Sequence, residues 1–259
     1  MTGEGVGGTR VWNEGIPGKD IPGSTRIPVA EIDRFFQGNT NNLQGLDLGS
    51  GKGRSAKVLE ASLRGSTITA LDLSLEGLRL TETKNKVQAQ AEDLPFPPNR
   101  FDFVNVCGVL TNLVDENPKT AQQLRTSVVS GLYRVIKPGG CVVISDFGSE
   151  HLLDAYDVNY ERHALITGER GTIAVLKSGE NFIGKSNEAI AAMKGTSAIV
   201  RYAHHYARRE IVNLLHKAGF NVLTCTIEIA QTPTGHRPID NLIVLAKKPQ
   251  IENATAEVG

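Results

Sequence analysis

The sequence predicts an α/β protein in which helices cover both faces of a mostly parallel β-sheet. Short runs of apolar and β-branched residues alternate with longer segments of helical spacing, an alternation typical of strand–helix–strand crossover units. The longest apolar stretches, such as residues 141–144, have the length of buried strands, and the alternation implies a sheet covered on both faces. With 259 residues, the chain is long enough for a large core, in one domain or in a domain with a sizeable insertion.

The predicted elements follow in chain order. We expect strands at residues 43–48, 67–73, 87–89, 101–106, 141–145, 220–229 and 241–246. We expect helices at residues 55–63, 74–86, 120–136 and 208–218, and an earlier helix with Pro28 in its first turn. Ser74 is the predicted N-cap of the second of these, and the cluster 232–235 predicts a hairpin between the last two strands.

The chain divides into three parts. We expect an N-terminal segment with a lid helix at residues 1–40, a main domain at 41–248 and a loose tail at 249–259. Within the main domain, the rhythm of strands and helices breaks at about residues 148–203. We interpret that stretch as an insertion over the edge or top of the sheet.

Charge and composition exclude several classes of function. Lys and Arg number 28, as do Asp and Glu, so no basic excess exists to hold a nucleic-acid backbone non-specifically. No apolar run reaches the length of a membrane helix, and the first residues lack the pattern of a signal peptide. Three widely spaced cysteines favour a reducing compartment, so we expect a cytoplasmic protein without a disulfide framework or a metal site.

A glycine-rich loop follows the first strand of the main domain. Gly49, Gly51 and Gly53 alternate there, and such residues permit positive φ and a close approach of backbone to a ligand. The loop matches neither a P-loop nor a dinucleotide fingerprint, because Gly53 and Arg54 occupy decisive positions. Asp47 before the loop would repel a pyrophosphate but suits a cationic ligand, and Asp72 ends the next strand, where a carboxylate can accept both hydroxyls of a ribose.

On these residues the chain resembles the class I S-adenosylmethionine-dependent methyltransferases. Three further stretches are similar to that family, at residues 91–104, 134–140 and 209–220, and all appear in the family's order. The resemblance covers about residues 40–147 and 205–248. It implies a Rossmann-like, doubly wound, mostly parallel seven-stranded sheet with an antiparallel C-terminal hairpin strand.

The resemblance also implies a cofactor site for S-adenosyl-L-methionine, with S-adenosyl-L-homocysteine as the product. Asp47 would order the loop and reach the methionine amine, directly or through water. The implied cofactor residues are Asp47, Gly49, Ser50, Gly51, Asp72, Leu73, Gln90, Ala91, Glu92 and Cys107. Gln90 departs from the family, since many relatives have Asp there to accept a hydrogen bond from the adenine amino group. Cys107 is interpreted as a small buried residue behind the cofactor, with a nucleophile as the alternative.

We expect the acceptor over the carboxyl ends of the fourth and fifth strands and in the insertion. The predicted catalytic bases are His204 and His205, with capping or packing as the alternative. The predicted substrate-binding residues are Trp12, Asp146, Tyr160, His163 and Tyr206. The preferred function is methyl transfer to a small molecule by in-line displacement at an O, N or C nucleophile. Methylation of RNA or protein and non-catalytic cofactor binding remain alternatives, DNA and membrane partners are not expected, and a homodimer is left open.

Overall fold

The computed structural model describes residues 28–115, 117–150, 160–177, 179–230 and 239–250. Its seven-stranded sheet comprises β1 (Gln44–Leu48), β2 (Thr67–Asp72), β3 (Asn85–Gln88), β4 (Phe101–Cys107), β5 (Ile136–Phe147), β8 (Asn221–Ala230) and β9 (Ile239–Lys247). The spatial order is β3-β2-β1-β4-β5-β9-β8. The first five strands are mutually parallel, and β9 is antiparallel to both β5 and β8. The predicted fold class is confirmed.

Helices cover the two faces of this sheet. They are α1 (Val29–Phe35), α2 (Arg54–Ser62), α3 (Leu75–Leu80), α4 (Pro118–Val135), α5 (Tyr160–Thr167), α6 (Asn187–Ala191) and α7 (Arg208–Lys217), together with the single-turn 3-10 helix η1 (Leu110–Asn112). One apolar cluster joins the sheet to α4 and α7, and a second joins it to α1, α2 and α3. Helices therefore pack on both faces of the sheet, as the alternation of strands and helices in the sequence predicts.

Two predicted boundaries differ from the structure. The helix that begins after the Ser74 N-cap ends at Leu80 rather than near residue 86, because Thr81 turns the chain into an extended conformation and its side chain is buried. The following residues form β3, whose Asn85 pairs with Thr69 of β2. Likewise β5 begins at Ile136, so the Pro–Gly–Gly segment lies in the irregular first part of a strand and not between helix and strand.

The insertion contains regular elements that its sequence pattern did not indicate. Helices α5 and α6 accompany a two-stranded antiparallel sheet of β6 (Thr172–Leu176) and β7 (Ile199–His204). Apolar side chains of these elements form their own small core around Phe182 and Ile190. Strand β7 then leads directly into α7, which returns the chain to the main sheet.

Several predictions fall on parts of the chain that the structure does not describe. Residues 1–27 of the N-terminal segment, which include Trp12, the hairpin turn at 232–235 and the tail from residue 251 lie outside the described residues. The proposed domain boundaries stay predictions. Among the described helices, none combines the length and the apolar character needed to cross a bilayer.

Candidate functional site

The glycine loop joins β1 to α2 through backbone in the left-handed region. Gly49, Gly51 and Gly53 have φ angles of 72°, 53° and 83°. A Cβ atom at Gly49 would lie 2.2 Å from Cγ2 of Val109, and one at Gly53 would lie 1.8 Å from Oγ1 of Thr81. A Cβ atom at Gly51 would meet no atom within 4 Å. Gly49 and Gly53 are thus required by packing inside the protein, a use that the sequence argument, which assigned all three glycines to a ligand, did not anticipate.

Asp72 ties the glycine loop to the end of β2. Its Oδ2 accepts a hydrogen bond from the backbone N–H of Gly51 at 2.7 Å, and its Oδ1 accepts one from Ser74 at 2.7 Å. These bonds fix the orientation of the half-buried carboxylate. Each oxygen has a second lone pair, so the group can still accept two hydrogen bonds from a ligand.

Asp47 lies beneath the loop and is fully buried. Its carboxylate accepts hydrogen bonds from Oγ of Ser55 at 2.6 Å and from Nδ2 of Asn105 at 2.7 Å. Burial raises the pKa of this carboxyl to about 6, against the opposing effect of the two hydrogen bonds. Asp47 therefore orders the loop by joining β1 to α2 and β4, and it does not line the cavity beside the loop.

A cavity of about 230 Å³ opens beside the glycine loop, and we call it the loop cavity. Its walls come from the ends of β1 and β2 and from the segments after β3 and β4. Its lining residues are Leu48, Gly49, Leu71, Asp72, Leu73, Ala89, Gln90, Ala91, Glu92, Gly108, Val109, Asn112, Leu113, Val114 and Leu124. The lining thus includes six predicted cofactor residues, namely Gly49, Asp72, Leu73, Gln90, Ala91 and Glu92, but not Asp47, Ser50, Gly51 or Cys107. The cavity lies at the carboxyl ends of parallel strands, where sheets of this kind bind ligands.

A second cavity, of about 330 Å³, lies between the insertion and the main sheet, and we call it the insertion cavity. Most of its wall is apolar, with a smaller number of polar side chains. Its lining residues are Thr111, Phe147, His163, Ile173, Ala174, Val175, Leu176, Glu180, Asn181, Phe182, Arg201, Ala203 and His205. Its size and mixed lining are typical of a small-molecule pocket.

The 3-10 helix η1 separates the two cavities. Thr111 lines the insertion cavity and the next residue, Asn112, lines the loop cavity. Across this boundary, Nη1 of Arg201 donates a hydrogen bond to Oδ1 of Asn112 at 3.3 Å. The two cavities are therefore neighbours, connected through one hydrogen-bonded pair of side chains.

Asp146 and Tyr206, which were predicted to bind substrate, instead support η1 from below. The buried carboxylate of Asp146 accepts backbone hydrogen bonds from Thr111 at 3.2 Å and from Phe147 at 2.8 Å. Burial raises the pKa of this carboxyl to about 7. The hydroxyl of Tyr206, itself fully buried, donates to the carbonyl of Leu110 at 3.1 Å. Neither side chain lines the loop cavity or the insertion cavity, so within the described residues both act through η1 rather than at the wall of either cavity.

His205 belongs to the wall of the insertion cavity. Its ring stacks on Phe147 with centroids 5.3 Å apart, and its Nδ1 lies 3.0 Å from the hydroxyl oxygen of Tyr160. Burial lowers the pKa of His205 to about 3, and the neighbouring His204, His163 and Arg201 act in the same direction, so the imidazole is neutral near pH 7. His163 also lines the cavity, and its Nδ1 accepts a hydrogen bond from the backbone of Ala174 at 3.1 Å.

His204 points away from both cavities. Its Nδ1 lies 2.8 Å from Oγ1 of Thr172, and its Nε2 lies 2.8 Å from Oε1 of Glu210. With both ring nitrogens occupied and the side chain only 1% exposed, it has no atom available to an acceptor. A catalytic role for His204 therefore does not fit the geometry. The histidine instead stabilises the junction between β7 and α7.

Arg125 is the central cation of the cluster around His204, and the sequence analysis missed it. Its guanidinium donates to both carboxylate oxygens of Glu169, at 2.7 and 2.9 Å, and its Nε donates to the carbonyl of Leu113 at 3.0 Å. It thereby joins α4, the insertion and the wall of the loop cavity. Its signal in the sequence is a charged residue on the apolar face of a helix, between Ala121 and Val128.

Within the described part of the chain, no cluster of three His, Cys, Asp or Glu residues has the arrangement of a metal site.

Part of the chain is similar to known methyltransferases. Residues 46–144 match the family model of the methyltransferase domain. A ubiquinone/menaquinone biosynthesis C-methyltransferase of Psychromonas ingrahamii is 31% identical over 108 residues, which are 40% of this chain and 39% of that protein. The corresponding Escherichia coli enzyme is 32% identical over 116 residues, which are 44% and 42% of the two chains. The matching segment therefore spans about two fifths of these curated relatives.

Among solved structures, an S-adenosylmethionine-dependent methyltransferase of Methanosarcina mazei aligns with a TM-score of 0.63 at 24% identity. The alignment covers 82% of this chain and 94% of that one. At this level of identity the likeness establishes the fold. It extends well beyond the part matched by the family model.

Proposed function

We propose that this protein, which contains a domain of the class I S-adenosylmethionine-dependent methyltransferase family, transfers a methyl group from that cofactor to a small-molecule acceptor. The loop cavity would hold the cofactor and the insertion cavity would hold the acceptor. The observation that supports this assignment best is the adjacency of two chemically different cavities on either side of η1. Methyl transfer requires two bound molecules to meet at one point, which adjacent cavities make possible.

The loop cavity contains groups that fit the cofactor. The oriented carboxylate of Asp72 would accept hydrogen bonds from the ribose hydroxyls. Gln90 and Glu92 would face the polar edge of the adenine, and apolar side chains such as Leu73 and Val109 would pack on its ring. When bound, S-adenosylmethionine supplies a methyl group already activated on a sulfonium. The protein must therefore position the acceptor and exclude water.

The insertion cavity favours a small molecule over RNA or protein. Phe147, Phe182, Ile173 and neighbouring aliphatic residues give it a largely apolar wall. His205 is one of its buried polar side chains and would contact the acceptor. A polymer substrate would need a basic rim, and Arg201 is the only Lys or Arg among the lining residues of this cavity in the described part of the chain. Two curated relatives are named as C-methyltransferases of quinone biosynthesis, which agrees with a small-molecule acceptor.

Calorimetry with S-adenosylhomocysteine tests the cofactor half of the proposal. We expect the unaltered protein to bind it, and Asp72→Asn to bind it about ten- to a hundredfold more weakly, because charge-assisted hydrogen bonds are lost. Asp33→Asn is the matched control, since Asp33 is exposed on α1. An unchanged dissociation constant for Asp72→Asn would remove Asp72 from the ribose role.

Turnover tests the acceptor half. Release of S-adenosylhomocysteine is measured with a panel of small apolar molecules that carry hydroxyl, amine or activated carbon nucleophiles. We expect at least one of them to be methylated. We expect Phe182→Arg to abolish its turnover while cofactor affinity remains, because Phe182 lines the insertion cavity and not the loop cavity. Turnover that survives Phe182→Arg would place the acceptor elsewhere.

A further inference from the structure

We infer that His205 presents an Nε2–H group to the insertion cavity as a hydrogen-bond donor, and that Tyr160 is the positioning residue that selects this tautomer. The acceptor class is then a molecule with a carbonyl or anionic oxygen on an apolar framework. The inference rests on the proposed function in one respect, the assignment of the insertion cavity to the acceptor. It changes the predicted role of His205 from a general base to a donor.

The hydroxyl proton of Tyr160 points toward Nδ1 of His205. The only hydrogen bond that Tyr160 makes through its side chain, in the part of the chain that is described, is to Nδ1 of His205 at 3.0 Å. If Nδ1 carried the proton and donated it, the hydroxyl proton would be left without a partner in a half-buried position. If the hydroxyl donates, both groups are satisfied. Burial also raises the pKa of Tyr160, so the hydroxyl keeps its proton.

The hydrogen bond from Tyr160 determines which ring nitrogen of His205 carries the proton. A neutral ring carries one proton, and a ring that accepts at Nδ1 must carry that proton on Nε2. Within the described residues Nε2 of His205 has no hydrogen-bond partner, and it is not among the fully enclosed polar atoms. His205 is 7% exposed and lines the insertion cavity, so we assign Nε2 to the wall of that cavity.

His205 is a poor general base. The pKa of His205 is lowered to about 3 by burial and then by His204, His163 and Arg201. A group with that pKa is ionised only in strong acid, so it removes a proton poorly from an acceptor near pH 7. The same neutral ring remains a good hydrogen-bond donor.

The surroundings of Nε2 then specify the acceptor. A donor N–H and the cation of Arg201 on one wall both favour an oxygen with negative or partial negative charge. Phe147 and Phe182 contribute apolar surface around it. Glu180 also lines this cavity, and its carboxylate would repel a fully anionic molecule. A neutral molecule with a carbonyl oxygen therefore fits the cavity better than a carboxylate does.

Nitrogen NMR of histidine-labelled protein tests the tautomer without any substrate. In the unaltered protein at neutral pH, we expect His205 to show a protonated Nε2 and an unprotonated Nδ1, with the signal assigned by its loss in His205→Gln. In Tyr160→Phe we expect a mixture of the two tautomers, because the donor that selects one of them is gone. Tyr133→Phe is the matched control, since Tyr133 packs on Phe220 away from both cavities.

A protonated Nδ1 in the unaltered protein overturns the inference even if Tyr160→Phe fails to fold. So does an unchanged tautomer in a folded Tyr160→Phe. Neither reading depends on cofactor binding or turnover, so failure of the tautomer assignment and failure of the proposed function can be told apart.

A pair of probes tests the acceptor class. Acetophenone and cumene have similar shapes and differ in a carbonyl oxygen, and their binding is compared by ligand-observed NMR. We expect acetophenone to bind about fivefold more tightly than cumene, as one net hydrogen bond provides. In His205→Phe we expect the two probes to bind equally. A preference that persists in that variant, or no binding of either probe, rejects His205 as the donor.

Discussion

The loop cavity and the insertion cavity are neighbours, yet they are built in different ways. The loop cavity uses backbone geometry, which requires glycine at φ 72° in Gly49 and a carboxylate at a fixed strand end in Asp72. The insertion cavity uses side chains brought together from η1, β5, β6 and β7. Backbone geometry leaves a local motif in the sequence, whereas packing of distant segments does not. The segment that matches the family model, residues 46–144, includes the glycine loop and ends before the insertion begins.

Arg125 provides the largest test of how these two regions depend on each other. Replacing it with Met removes the guanidinium from Glu169, which keeps the hydroxyl of Thr172 as a donor, and removes the donor of the Leu113 carbonyl. Breaking a buried ion pair by removing one partner costs about 3 kcal/mol or more, so we expect the free energy of unfolding to fall by about that amount. Chemical denaturation measures it.

The matched control is the exposed pair of Lys57 and Glu82, whose nitrogen and oxygen lie 3.1 Å apart with side chains 69% and 78% exposed. We expect Lys57→Met to change the free energy of unfolding by less than about 0.5 kcal/mol. Similar losses in the two variants would mean that Arg125 does not join the regions energetically.

The two regions are expected to respond oppositely to pH. The pKa of Asp47 is raised to about 6 in the folded chain, so the folded state binds its proton more tightly than the unfolded state does. The free energy of unfolding therefore falls as pH rises from about 4 to 6. The pKa of His205 is lowered to about 3, so there the unfolded state binds more protons and the free energy of unfolding rises from about pH 3 to 6.5.

Two variants separate these opposing contributions. In Asp47→Asn the contributions of His205 and Asp146 remain and that of Asp47 is lost, so we expect stability to shift toward rising with pH relative to the unaltered protein. In His205→Phe the contribution of Asp47 remains, with that of Asp146 in the same direction, so we expect stability to fall with pH. Each change is of order 3 kcal/mol across the window, and denaturation midpoints at several pH values measure it. Parallel pH curves for the two variants would contradict this assignment.

The glycine loop allows a comparison within one region. In Gly53→Ala the new Cβ would lie 1.8 Å from Oγ1 of Thr81 at a φ of 83°, so we expect both backbone strain and overpacking, with a loss of about 2–3 kcal/mol. In Gly51→Ala the space is open and φ is 53°, so we expect strain alone, about 1 kcal/mol. Thermal denaturation of both variants measures these losses of stability. Equal losses would show that the structure relaxes around the new contact with Thr81 at no cost.

The sequence predicts the main sheet well because most of its central strands are short apolar runs that alternate with segments of helical spacing. It fails at Thr81, where the helical spacing continues but burial of the threonine side chain favours an extended chain. It also fails in the insertion, because the five residues of α6 cover less than two helical periods and the five residues of β6 do not alternate between apolar and polar.

The sequence also could not distinguish the roles of two adjacent histidines in the site. His204 and His205 are equivalent as a sequence pattern, and both were predicted as bases. Side chains of successive residues at a strand end point to opposite sides. One ring therefore joins Glu210, while the other faces the insertion cavity. Only the three-dimensional packing decides which is which.

The smallest expected effect concerns Thr111, which lies at the boundary between the two regions. Its backbone N–H is held by Asp146, but within the described residues its buried Oγ1 has no hydrogen-bond partner. Valine has nearly the same shape and no hydroxyl, so we expect Thr111→Val to leave the free energy of unfolding unchanged or to raise it by up to about 1 kcal/mol. Thr83→Val is a matched control, because Thr83 is also buried with an unpartnered hydroxyl but lines neither cavity. If Thr111→Val weakens acetophenone binding and Thr83→Val does not, the hydroxyl serves the acceptor. A loss of stability in Thr111→Val would instead show that the hydroxyl is satisfied within the folded chain.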